Sequence, residues 1–257
     1  MKNEVDHILK KYFSDDPTTI HYYGDGQRVD RIGEIIGKLV PFDHPDAYAI
    51  LDDEIVIFEH FEFDSSENQK RKGSQQKRSQ ADDNRAFAKV IPTEEGALHH
   101  GSISADYSME NYKNNLIRVF CKHYSEIDDY KRTLRKSGII TGCERITTLF
   151  FIEDVTIFGN LFKSDNPNMR WETLALPLCD FFLDLFERSV DLDIVLFAGQ
   201  DPNGQFLWYI DRTMIQACRE HELNTKKIKI LDFNPKSLGY KIAISEEMME
   251  KYIKIGG

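Results

Sequence analysis

The chain has 257 residues, 43 acidic side chains against 33 basic ones for a formal net charge of −10, and a hydrophobic fraction of 41%. That apolar mass suits a sizeable core and excludes a low-complexity or disordered protein over most of the length. The acidic balance argues against a protein that coats nucleic acid nonspecifically, since such binding draws its affinity from Lys and Arg at phosphates, although a basic patch or a divalent metal would offset it.

In chain order, Val5, Ile8, Leu9, Tyr12 and Phe13 recur at helical spacing and predict a helix over residues 3–13. The opening Met1-Lys2-Asn3-Glu4-Val5-Asp6 lacks the apolar stretch of a signal peptide, and no run approaches the roughly 20 apolar residues of a membrane span, so a cytoplasmic protein is expected. A short extended piece at 19–23 leads into the turn Gly24-Asp25-Gly26, and Val29, Ile32, Ile35, Ile36 and Leu39 then predict an amphipathic helix that also carries Arg31 and Glu34. After Pro41 the period becomes that of strands. Residues 46–51 and 54–63, joined by Asp52-Asp53, predict a β-hairpin.

Between 64 and 84 hydrophobic residues vanish, which predicts a long mobile loop at 65–85. It is locally basic: seven Lys and Arg, among them Lys70 and Lys72, stand against three acids between Ser65 and Lys89. A short strand at 86–91 and a helix over about 108–136 follow, the helix striped by Leu116, Val119, Phe120, Tyr124, Ile127, Tyr130 and Leu134 and ended by Gly138. The nearly continuous apolar run at 145–153 is that of a strand buried on both faces. Beyond it come a helix at 173–188, strands at 193–198 and 205–210 around the turn Asp201-Pro202-Asn203-Gly204, a helix at 211–221, a strand at 226–232 and a last helix at 245–252. The expected class is α/β, a mixed β-sheet flanked by helices in a single domain over 1–257. No internal repeat interrupts it.

Chemistry concentrates in the hairpin. Asp46 follows Pro45 at the start of one strand, and Glu59 comes thirteen residues later in the next, beside His60 and Glu62. A carboxylate inside such an apolar strand is costly unless it is paired or binds a cation. Alternation puts Glu59 and Phe61 on one face and His60, Glu62 and Asp64 on the other. Acids at strand ends also cap turns or face solvent, and a basic loop also serves as a solvated linker. His99, His100 and His123 rank below the carboxylates as ligands, and Trp171 and Trp208 read as packing residues. Cys121, Cys143, Cys179 and Cys218 lie far apart without a C-x-x-C pair and read as reduced thiols. Gly24-x-Gly26 lacks the rest of a dinucleotide fingerprint, and neither a P-loop nor a Gly-x-Ser-x-Gly elbow occurs.

The Pro45-Asp46 pair, Glu59, and the helix ahead of the hairpin resemble the PD-D/E-x-K nuclease superfamily, the restriction-endonuclease-like fold. The resemblance covers about 27–152, with 160–257 as an extension of the same domain. It implies Mg²⁺-dependent (or Mn²⁺-dependent) phosphodiester hydrolysis of nucleic acid, with Asp46 and Glu59 as principal ligands and Glu34 as an accessory acid. His60 and Glu62 take over if the other strand face carries the site. The family has lysine two positions after the glutamate, where this chain has Phe61. Lys70 or Lys72 would then have to reach in from the loop as the cation directed at water or phosphate. The rival expectation is a non-catalytic α/β scaffold that binds a protein or nucleic-acid partner through the loop or its acidic surface.

Overall fold

A computed structural model describes residues 2–13, 18–22, 28–64, 97–101, 109–142, 145–155, 161–163, 172–173, 176–201, 204–225, 229–230 and 240–244. In chain order these form α1 (Lys2–Phe13), β1 (Thr19–Tyr22), α2 (Arg28–Gly37), β2 (Leu39–Pro41), β3 (Ala47–Ile50), β4 (Glu54–Phe63) and β5 (Ala97–Gly101). Then come α3 (Met109–Tyr124), α4 (Ile127–Lys136), β6 (Arg145–Asp154), β7 (Leu161–Lys163), β8 (Glu172–Thr173) and α5 (Asp180–Arg188). The remainder is β9 (Ile194–Asp201), β10 (Gly204–Asp211), α6 (Ile215–Glu220), β11 (Lys229–Ile230) and β12 (Tyr240–Ile244). The chain divides into a larger unit, Met1–Ser65 with Ser108–Ile230, and a smaller one, Ser66–Tyr107 with Leu231–Gly257. In the smaller unit β5 and β12 pair antiparallel, His99 opposite Ile242 and His100 opposite Lys241.

The larger unit is built on a seven-stranded sheet of order β1-β10-β9-β6-β4-β3-β2. β4, β6 and β9 run parallel, whereas β2, β3 and β4 form an antiparallel meander and β9 and β10 an antiparallel pair. The architecture is therefore α/β with a mixed sheet. β7, β8 and β11 form a separate three-stranded sheet. No helix among the described residues is long and apolar enough to cross a membrane.

Strand alternation sorts the core into two layers. On one face Phe58 and Phe151 pack with Tyr12 of α1, and Arg31 of α2 reaches Glu54. On the other, Phe61, Phe150, Phe120 and Phe182 form a chain of ring contacts 5.4 to 6.5 Å apart that ties β4 and β6 to α3 and α5. Removing each such ring from water contributes about 1.5–3 kcal/mol. β6, parallel to neighbours on both sides, is buried at every residue from Thr147 to Asp154, as its apolar run predicts.

The hairpin has the expected strands, and β4 spans 54–63. The expected helix at 108–136 is instead two, because the chain turns at Ser125-Glu126, where the Ser125 hydroxyl donates to the Lys122 carbonyl and competes with helix continuation. α4 ends as expected at Gly138, whose φ of +76° allows its amide and that of Ile139 to reach the carbonyls of Arg135 and Leu134. The expected helix at 173–188 begins only at Asp180. Pro177 lacks the amide a helix interior needs and sits in a short 3-10 turn at Leu176–Leu178. At 211–221 a 3-10 turn, Arg212–Met214, precedes α6. β2 lies where the predicted second helix was to end, since Pro41 favours extended backbone ahead of it. The basic loop with Lys70 and Lys72, the strand at 86–91, the Gly24–Gly26 turn, the helix at 245–252, Cys143 and Trp171 lie outside the described residues. Cys121, Cys179 and Cys218 are free thiols, the latter two buried.

Candidate metal centre

β4 carries the chemistry on both faces because its polar residues fall at consecutive positions. Glu59 points toward α3 and α4 and is only 5% exposed. Its Oε1 lies 2.8 Å from His123 Nδ1 and accepts from the Tyr130 hydroxyl at 2.7 Å, and its Oε2 accepts from the Asp46 backbone amide at 3.3 Å. Asp46 sits just before β3, opposite Glu59 across the hairpin, and its own carboxylate accepts from the His60 amide at 2.8 Å. Asp46 and Glu59 are thus neighbours, with the Asp46 side chain closing the end of the β3–β4 ladder.

The turn between α3 and α4 brings a further acid to this face. Glu126 Oε2 lies 3.0 Å from the Tyr130 hydroxyl, and the ligand atoms of Glu59, His123 and Glu126 all fall within 4.8 Å of one another. Tyr130 has one proton to give and two carboxylates in reach. Burial, and then the charges of Glu59 and Glu126, push its pKa well above the ordinary range, so it stays a neutral donor. The ring of Phe61 stacks on His123 and the ring of His44 meets Tyr130 edge-on, which walls the group with aromatic surface. One imidazole and two carboxylates form a donor set able to hold a divalent ion, hard oxygens with a borderline nitrogen.

The opposite face holds the second such grouping among the described residues, His60, Glu62 and Glu153, near the C-terminal ends of β4 and β6. Here Glu153 is already matched. Lys11 of α1 forms an ion pair with it, Tyr12 donates to Oε1 at 2.8 Å, and His60 Nε2 lies 3.3 Å from Oε2. Burial works against the Glu153 charge, but the hydrogen bonds from His60, Lys11 and Tyr12 outweigh it and its pKa falls to about 2. This network ties α1 to the sheet and leaves Glu62 exposed at its rim.

Of the residues singled out in the sequence, Asp46 meets Glu59 through its backbone amide, while its carboxylate accepts from the His60 amide and is not among the grouped ligand atoms, so the expected Asp46–Glu59 ligand pair is replaced by Glu59 with His123 and Glu126. His60 and Glu62 come together on the other face. Glu34 joins neither. It lies on the exposed side of α2 in an i,i+4 ion pair with Lys38 at 2.9 Å. Lys70 and Lys72 are outside the described residues. His123, below the carboxylates as an expected ligand, Tyr130, expected only as part of an apolar stripe, and Glu126, with no expected role, join the Glu59 group instead. Their spacing of 3 and 4 was the available signal, since on a continuous helix it would align them on one side; in the structure His123 lies in the last turn of α3, Glu126 caps α4 and Tyr130 lies one turn into it. No protein-family model, curated protein or solved structure matches this chain.

Proposed function

We propose that the chain is a divalent-metal-dependent hydrolase of nucleic-acid phosphodiesters, a divergent relative of the PD-D/E-x-K nucleases. The observation that carries this reading is the convergence of Glu59, His123 and Glu126 within 4.8 Å beside Asp46. The succession of α2, the β2–β3–β4 meander, the helical stretch of α3 and α4, and β6 supports it as well, since a helix, a hairpin, a helical stretch and a strand follow in the family's order.

Glu59, His123 and Glu126 would hold the cation, which when bound supplies Lewis-acid polarisation of a phosphodiester and an activated water. With an imidazole in the donor set, Mn²⁺ is the better match than Mg²⁺. Tyr130 holds a proton at Glu59 Oε1 and keeps that carboxylate oriented. Phe61 and His44 exclude water from the inner side of the group, which strengthens its electrostatics.

One observation favours a second reading, a non-catalytic scaffold. Where the family has its lysine, Phe61 is 5% exposed and packed against Phe150 as well as His123, so no cation from β4 orients water at Glu59. Calorimetric titration with Mn²⁺ and Mg²⁺ of the wild type, Glu59→Gln and Glu126→Gln, followed by cleavage of labelled DNA and RNA in the same samples, separates the readings. The expected result is metal binding and metal-dependent cleavage in the wild type, both lost in the two variants. Binding without cleavage favours the scaffold, and a wild type that binds neither ion overturns the metal centre.

A further inference from the structure

At the N-terminal ends of β6 and β9 and the C-terminal end of β10 lies a cavity of about 590 Å³, a size that accommodates a small organic ligand. Arg31, Arg145, Thr147, Asp193, Tyr209 and Arg212 contribute to its wall. Two of these arginines converge on one buried acid. Arg31 Nη2 lies 2.7 and 3.0 Å from the two oxygens of Glu54, and Arg145 Nη2 lies 2.9 Å from Oε2. Thr147 Oγ1 donates to the same carboxylate, which is 3% exposed. Two guanidinium charges on a single carboxylate leave this trio with a net charge of +1.

The donors are not exhausted either. Arg31 Nε is buried and has no acceptor, an arrangement that costs more for a charged group than for a neutral one. Arg145 is 60% exposed and spends one nitrogen on Glu54. The other charged groups in the wall, Asp193, Asp211 and Arg212, keep their charges but are hydrogen-bonded within the protein. Asp193 accepts from the Thr148 amide, and Asp211 accepts from the amide and hydroxyl of Thr213 and from the Tyr209 hydroxyl. Arg212 directs its nitrogens at the carbonyls of Phe186, Glu187, Ser189 and Leu192.

We propose that this cavity binds a small phosphate-bearing ligand, with the guanidinium groups of Arg31 and Arg145 as donors to the phosphate oxygens and Glu54 as the acid that holds the two arginines in place. Forked guanidinium donors match phosphate oxygens better than a point charge does. The site is independent of the Glu59 centre.

The test is calorimetric titration with inorganic phosphate and, separately, with a 5′-nucleoside monophosphate. The proteins are the wild type, Arg145→Ala, Arg31→Lys and the control Arg132→Ala, whose side chain is equally exposed and paired with Asp129. Arg31→Lys keeps the charge and removes the guanidinium fork, with its two contacts to Glu54. The expected result is binding by the wild type and the control, weakened at least roughly tenfold in each of the other two variants, the effect of one lost charge-assisted hydrogen bond. Tighter binding of the monophosphate identifies an organic phosphate as the ligand, and equal binding identifies the phosphate group alone as what is recognised. Absence of binding by the wild type, or equal weakening in Arg132→Ala, overturns the proposal. So does unchanged affinity in Arg145→Ala or Arg31→Lys.

Discussion

The imidazole of His123 lies flat against the ring of Phe61, 4.5 Å between centroids and 10° between planes, while its Nδ1 faces Glu59 at 2.8 Å. The stack restricts the imidazole to one plane, and the carboxylate selects which nitrogen faces inward. Phe61 also meets Phe150 edge-on, so it contributes to the core and to the orientation of a candidate ligand together.

Truncation of Phe61 tests both roles. Phe61→Ala is expected to lower unfolding stability by about 3–5 kcal/mol, the cost of a vacated aromatic site in a core. Urea unfolding should show the loss as a lower midpoint at an unchanged slope. A change under about 1 kcal/mol would mean that the ring packs far less tightly than its contacts indicate.

The hairpin was legible because a run rich in Ile, Val and Phe, the Asp52-Asp53 turn and the shift of period after Pro41 all pointed to the same element. The pairing of Asp46 with Glu59 follows from that register alone. The other half of the centre was not legible, because the apolar stripe through Tyr124, Ile127 and Tyr130 continues across the break at Ser125-Glu126 and reads as one helix. Which strand face meets which helix is decided by long-range packing, so the separation of Glu59 from His60 was readable while their partners His123 and Glu153 were not. Pro177 was a helix breaker in plain sight, yet the apolar period on either side of it outweighed it.

Gly199 faces Phe206 across the β9–β10 pair, and a Cβ at that position would meet the ring at 2.5 Å. The ring is buried and packed 6.0 Å from Phe197, so it has little room to retreat. Gly199→Ala should therefore destabilise by about 1–3 kcal/mol despite the usual benefit of replacing a strand glycine. A thermal melt showing Ala equal to or above the wild type would contradict the close approach.

Arg212 closes the C-terminal end of α5. Its Nη1 donates to the carbonyls of Phe186, Ser189 and Leu192 at 2.9 to 3.2 Å, and its Nη2 to that of Glu187 at 3.0 Å. A lysine carries the same charge but cannot span four carbonyls with one ammonium. Arg212→Lys is expected to cost about 1–3 kcal/mol, measured by urea unfolding against the wild type at several salt concentrations. If the loss vanished at high salt, charge rather than geometry would be the source.

Glu153 makes stability depend on acid. Its pKa is about 2 in the folded protein against an ordinary 4.5, because hydrogen bonds from His60, Lys11 and Tyr12 outweigh its burial. A depressed folded pKa stabilises in full above the unfolded value, so the contribution is present at pH 7 and is lost as the pH falls from about 4.5 toward 2. Its size is about 3 kcal/mol, and Glu153 is almost wholly buried, so solvent screens it little. Glu153→Gln should lower stability at neutral pH, where Lys11 loses its partner, and should flatten the dependence across that acid window. Urea midpoints for both proteins at a series of pH values check this. Parallel curves would assign the acid sensitivity to other carboxylates.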